Sequence, residues 1–222
     1  VSKEQTPDVD IIGQFGVGFY SAFMVAKDVT VITKRDDSDV AYKWESEGQD
    51  GYSITEDQRD GHGTTIILQL KEDTENENYS QYAQTSTLSE LIKKYSDYIR
   101  YPIHMEVETT RVKEETKDSD KPEYETIKED KTLNSMVPLW KRSKNSIKEE
   151  DYNTFYKDKF NDYTDPARVI HTSAEGLVSF NSLLFIPTNA PFDFYTKNYE
   201  KGLQLYSNGV LIMDKCDKLL PD

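Results

Sequence analysis

Between Val29 and Leu70 the chain breaks into four short runs of β-forming residues, parted by glycine-bearing turns. Val29-Thr-Val-Ile-Thr-Lys34 is β-branched almost throughout. Val40 to Trp44, Tyr52 to Thr55 and Thr64 to Leu70 follow, with Asp36-Asp37-Ser38, Gly48, Gly51, Gly61 and Gly63 between them. Runs of this length and composition read as strands. The connections are too short for crossover helices, so neighbours must run antiparallel, and an antiparallel meander is expected.

A glycine-rich turn precedes these strands. An apolar pair, Ile11-Ile12, enters Gly13-Gln14-Phe15-Gly16-Val17-Gly18, with the spacing G-x-x-G-x-G. Phe19, Ala22, Phe23 and Ala26 then fall at i, i+3, i+4 and i+7, one face of a helix. Glycine lets the backbone approach a ligand with no Cβ in the way. A helix starting after it points free N–H groups and a positive dipole end at the same spot, which suits a phosphate. The triplet is read equally well as a mere tight turn. It is no Walker loop, since no Gly-Lys-Ser/Thr follows, and no later acidic residue completes a dinucleotide fingerprint.

Farther on, Thr87-Leu-Ser-Glu90 has capping-box form. Leu88, Leu91, Ile92, Tyr95 and Ile99 make an apolar stripe, and Pro102 limits that helix. Ile103 to Val107 reads as a short strand. From Glu108 to Lys131 charged residues crowd the chain around Pro122, and so polar a segment reads as an interdomain linker, flanked by strand ends. A second domain is expected from about Leu133. Ser146-Ile-Lys-Glu149 is another capping box, and Tyr152, Phe155, Tyr156 and Phe160 form a helical face. Leu177 to Ile186 reads as a strand ending at Pro187. Leu203 to Met213 reads as another, interrupted by Asn208-Gly209.

Composition narrows the function. The net charge is −14 and the pI about 4.7, with no basic stripe, so no nucleic-acid partner is expected. Cys216 is the single cysteine, which allows no internal disulfide and points to a reducing compartment. No apolar run approaches the roughly 18 residues of a membrane span, and no signal-peptide pattern opens the chain. A cytoplasmic protein with no membrane partner is expected. His62, His104 and His171 lie far apart without metal-ligand spacing. Glu149-Glu150 suits the first turn of a helix. Glu106, Glu108, Glu114 and Glu115 belong to no D-x-D-x-D-G loop, so they read as solvated charge rather than a calcium site. Val1 and the loop-like stretch behind it lead straight into the glycine motif, which reads as a chain cut within a domain.

The stretch Ile12-Gly-Gln-Phe-Gly-Val-Gly-Phe-Tyr-Ser-Ala-Phe-Met-Val25 closely resembles the phosphate-binding motif of heat-shock protein 90 chaperones. Gly63-Thr64-Thr-Ile-Ile-Leu-Gln-Leu70 resembles that family's G-T-x-I strand beside the nucleotide. Lys94-Tyr-Ser-Asp-Tyr-Ile99 resembles the helix closing its nucleotide domain. Pro138-Leu-Trp140, Phe185-Ile-Pro187, Ala190-Pro-Phe-Asp193, Leu205-Tyr206 and Ile212-Met-Asp214 resemble its middle domain. The motifs cover nearly the whole chain in the family's order. Tyr206-Ser-Asn-Gly-Val210 is closest to the bacterial members.

The resemblance implies an α+β fold. Residues 1–108 would be the later half of a two-layer, GHKL-type (Bergerat) ATP-binding domain, 109–131 a charged linker, and 132–222 the first part of an α/β/α middle domain. It implies an ATP-dependent chaperone that binds partly folded client proteins through an ATP-gated clamp. The parent would be a homodimer and this chain alone a monomer. Gly13, Gln14, Phe15, Gly16, Val17, Gly18 and Phe19 would wrap the phosphates, and Thr64 would help hold the adenine. Trp140 and Phe192 would be client-facing, with ordinary core packing the alternative for both. The catalytic Glu, the Mg²⁺-holding Asn and the adenine-reading Asp lie upstream of the glycine motif in the family, and the γ-phosphate Arg lies past the last strand. No catalytic residue or Mg²⁺ ligand is therefore expected within this chain. Gly209 departs from the family, many of whose members carry a basic residue there. Two other readings stand beside this one: another ATPase of the superfamily, such as a topoisomerase subunit, disfavoured by the acidic charge, and a non-enzymatic client or co-chaperone interaction module.

Overall fold

A computed structural model describes residues 16–113, 116, 121–197 and 199–219. The chain divides into two compact units, Val1–Leu88 and Ser89–Asp222.

The first unit is built on a four-stranded antiparallel sheet of β1 (Ala26–Lys34), β2 (Ala41–Ser46), β3 (Ser53–Asp57) and β4 (Gly63–Leu70), in the order β3-β2-β1-β4. The expected meander holds for β1, β2 and β3. β4 departs from it by pairing with β1 rather than with β3. The register explains the choice: Leu68 lies opposite Val29 and Ile66 opposite Val31. The most β-branched strand thereby becomes a central one, and Val29 is completely buried.

Ahead of β1, a 3-10 turn (Val17–Ser21) leads into a single-turn helix, α1 (Ala22–Val25). The helix is shorter than its periodicity suggests, because Ala26, the last apolar position of the stripe, is already strand and is buried in the sheet. Phe19 and Phe23 turn their edges to Trp44 of β2, at 5.6 and 6.5 Å between ring centroids.

The helix α2 (Thr85–Tyr95) contains the division between the units. It starts two residues before the expected capping box, so Thr87 and Glu90 are interior. In the second unit β5 (His104–Val112) pairs in nine-residue register with β6 (Tyr124–Thr132). Most of the stretch read as a linker is thus strand. Its charges pair across the ribbon, Lys128 with Glu106 at 2.8 Å and Arg111 with Glu125 at 2.7 Å. Met105, Val107, Thr109 and Ile127 share one half-buried face, with Arg111 and Glu125 at its end, whereas Lys128 and Glu106 lie on the opposite face. This period-2 alternation is what the charge-rich composition conceals.

After β6 the chain runs to α3 (Glu149–Phe160). The reciprocal cap there is not Ser146 with Glu149. The Lys148 backbone N–H donates to Asp151 at 2.9 Å, and the helix ends at Asn161 with φ of 51°. Two hairpins follow. β7 (Arg168–Ala174) pairs with β8 (Phe180–Ile186), and residues 177–179, read as strand, lie instead in their connection. β9 (Leu203–Ser207) pairs with β10 (Val210–Cys216). The interrupted strand is therefore a hairpin, turned at Asn208 (φ 49°) and Gly209 (φ 82°), the left-handed pair that a two-residue type I′ turn requires.

Candidate functional site

Gly13, Gln14 and Phe15 lie outside the described residues. Gly16 has φ of 69° and caps the 3-10 turn that carries Val17, Gly18 and Phe19. The turn supplies no acceptors for the N–H groups at its start. Apart from chain neighbours, no atom of the described residues lies within 4 Å of the place a Cβ would occupy at Gly16 or Gly18, so side-chain bulk does not crowd the backbone there. Ser21 donates its hydroxyl to the Gly18 carbonyl at 2.6 Å and steadies the turn.

Thr64 stands near the start of β4, and its hydroxyl shares a 2.9 Å hydrogen bond with that of Thr33 on β1. Register places Thr64 on a defined face. Thr33 pairs with both Tyr42 and Thr64, and Val31 with Trp44 and Ile66. Side chains two apart on a strand share a face, so Thr64 lies on the same face as Trp44, against which Phe19 packs. The fold therefore sets Phe19 and Thr64 over one side of the sheet. Ile66 and Leu68 share that side and remain partly exposed. Phe19's ring is committed to the aromatic group, which leaves its backbone as the part able to meet a phosphate.

Trp140 and Phe192 occupy opposite environments. Trp140 is half-buried, with its ring 4.7 Å from Tyr98, 5.0 Å from Tyr206 and 6.3 Å from Phe155. Its carbonyl lies 3.0 Å from Nε2 of His171, whose Nδ1 shares a 2.7 Å hydrogen bond with the Tyr152 hydroxyl. Phe192 is fully exposed, at 103% of its reference area.

The family model described as Hsp90 protein matches residues 81–127 and 107–222. The chain is 57% identical over 220 residues, 99% of its length, to a protein named chaperone protein HtpG from Clostridium acetobutylicum. It is 57% identical over 213 residues, 96% of its length, to proteins of the same name from Clostridium perfringens and Alkaliphilus oremlandii. The chain belongs to the Hsp90 family. It spans about a third of the length of these relatives, 35%, 34% and 33% respectively.

Within this Hsp90-family chain, two positions matter that motif reading passes over. Asn134 is buried just after β6 and satisfies three main-chain groups. Its Oδ1 accepts from Ile103 N–H at 2.8 Å, and its Nδ2 donates to the carbonyls of Ile99 and Tyr101, both at 2.9 Å. Asp97, also buried, accepts Ser135 N–H at 2.9 Å and pairs with Lys93 at 3.1 Å. Nothing local in the sequence marks Asn134 for this work. Among the described residues no three His, Cys, Asp or Glu side chains gather where they could hold a metal, and no helix is long and apolar enough to cross a membrane.

Proposed function

We propose that the parent protein is an ATP-dependent chaperone that binds partly folded clients and moves them through a nucleotide-gated clamp, as a cytoplasmic homodimer. The observation that carries this is the 57% identity along 99% of the chain to a chaperone of the same family. In this reading Gly16, Val17, Gly18 and Phe19 offer backbone N–H groups to the phosphates, joined by Gly13, Gln14 and Phe15, and Thr64 steadies the adenine through its hydroxyl network. Bound ATP supplies the free energy of the clamp cycle, and Mg²⁺ neutralises its phosphates. The residues here bind and orient. The water-activating carboxylate, the Mg²⁺ ligands and the γ-phosphate arginine are assigned to parts of the parent outside this sequence, so this chain alone should not hydrolyse ATP. Phe192, wholly exposed, is the residue assigned here to meet an apolar client segment.

Two measurements test the reading. The 222-residue chain should show no turnover of MgATP above buffer; sustained turnover would overturn the assignment of the catalytic groups. The same chain should suppress aggregation of a thermally unfolding client enzyme in light scattering. If it does not, this chain carries no client surface and Phe192 loses its role.

A further inference from the structure

Lys159, near the end of α3, differs in surroundings from the other described lysines. It is half-buried. Its Nζ stands 5.6 Å from the centroid of the Tyr98 ring and 5.8 Å from that of Tyr206. Both distances are near the outer limit of about 6 Å for a useful cation–π contact. Among the described residues its Nζ has no ion-pair or hydrogen-bond partner, whereas Lys93 and Lys157 pair with Asp97 and Asp165 at 3.1 and 2.8 Å. Burial, opposed by Asp97 and Asp214 and aided by Lys93, holds the amine below the usual lysine range.

The amine borders a cavity of about 580 Å³ that is open to solvent and shares Tyr98, Phe155 and Leu139 as apolar walls. Lys93 and Arg142 also line it, with three carboxylates: Asp97, paired with Lys93 at 3.1 Å, Asp151, which accepts the Lys148 N–H at 2.9 Å, and Asp158. Arg142 is exposed and has no ion-pair partner among the described residues. This space admits a small organic molecule. A weakly held amine at its wall and an unengaged guanidinium at its rim suit a donor with an electrophilic carbon and a negative charge.

We infer that Lys159 is a site of covalent acylation by a small anionic acyl donor of the acyl-phosphate class, drawn into this cavity by Arg142. The neutral amine attacks the acyl carbonyl carbon and a C–N bond forms. The C–O bond to phosphate breaks, phosphate leaves with the electron pair, and the amine proton passes to water. The product is a neutral amide, so the positive charge over Tyr98 and Tyr206 is removed.

The test is acetylation of the native chain by limiting acetyl phosphate, with each lysine followed by peptide mass spectrometry. Lys159 should react about tenfold faster than the median lysine, as an amine freed from its proton does. The preference should vanish in concentrated urea. R142A should slow Lys159 about fivefold with acetyl phosphate but not with an uncharged acetyl ester. A native rate at or below the median, or a preference that survives urea, overturns the site. An R142A rate unchanged with acetyl phosphate overturns the anionic donor.

Discussion

Gly209 lies directly against the peptide joining Tyr98 to Ile99. A Cβ at position 209 would stand 2.1 Å from the Tyr98 carbonyl oxygen and 2.9 Å from the Ile99 nitrogen. The position also has φ of 82°. Any side chain here, including the basic residue that the family resemblance puts at this place, meets both a strained backbone and a wall of main chain. G209A should cost about 3 kcal/mol in thermal unfolding. G209K should cost at least as much, since a longer side chain does not remove the Cβ clash. A Tm unchanged in G209A would mean that the hairpin turn moves freely away from Tyr98.

Asn134 is the second anchor of the same segment. N134A strips the partner from three main-chain groups at once, those of Ile99, Tyr101 and Ile103. The expected loss is about 3 kcal/mol in urea unfolding. N134D should be nearly as damaging, because a carboxylate cannot donate to two carbonyls. If N134D unfolds like the parent, the two donated bonds contribute nothing.

Tyrosine ionisation should set the alkaline limit of stability. Burial, then Asp214 and Asp97, pushes Tyr206 up to about 12. Burial and the hydrogen bond to Asp162 push Tyr156 up to about 12. Burial, then Asp97 and Tyr206, raises Tyr98 as well. A phenol whose folded value is raised favours the folded state only while protonated. Its contribution is whole below about pH 10, the ordinary tyrosine value, and is lost as pH rises from there through the folded values. Tm should therefore fall steeply between about pH 10 and 12. Y206F should flatten that fall. In a phenolate absorbance titration a late-ionising group should separate from the rest of the 15 tyrosines. A single transition at the ordinary value would show that the cluster is not buried in solution.

Trp140 and Phe192 should separate under alanine substitution. W140A removes a ring packed against Tyr98, Tyr206 and Phe155, and should cost about 3–5 kcal/mol. F192A should leave stability within about 0.5 kcal/mol while weakening client capture in the light-scattering assay. Equal client capture by F192A and the parent chain would remove Phe192 from the interaction surface.

Local chemistry makes part of this fold legible. The β-branched run Val29–Lys34 and the apolar run Thr64–Leu70 both form the strands they suggest. The neighbour of β4 is not local information, since only the packing of Leu68 and Ile66 against β1 selects it. The apolar residues of Leu203–Met213 mask the turn at Asn208-Gly209, although that dipeptide is a strong hairpin signal. In β5 and β6 the charges outnumber the alternating Met105, Val107, Thr109 and Ile127, so composition outweighs period. The glycine turn is visible as a motif, but its relation to Thr64 depends on strand register. Asn134 and Lys159 act through residues far away in sequence, and neither carries a local mark.

The return of β4 to β1 also orders events during folding. β1–β2 and β2–β3 close over short turns, while β1 and β4 meet no closer in sequence than Lys34 with Gly63. Closing that longer loop first would cost on the order of 1 kcal/mol more than closing the first hairpin. The three-stranded meander should therefore form early and β4 dock late. Until it docks, β1 presents a β-branched strand with one open edge, a template for pairing with another chain. Substitutions that weaken β4 should thus show themselves first as aggregation of refolding chains, before any loss of equilibrium stability is seen.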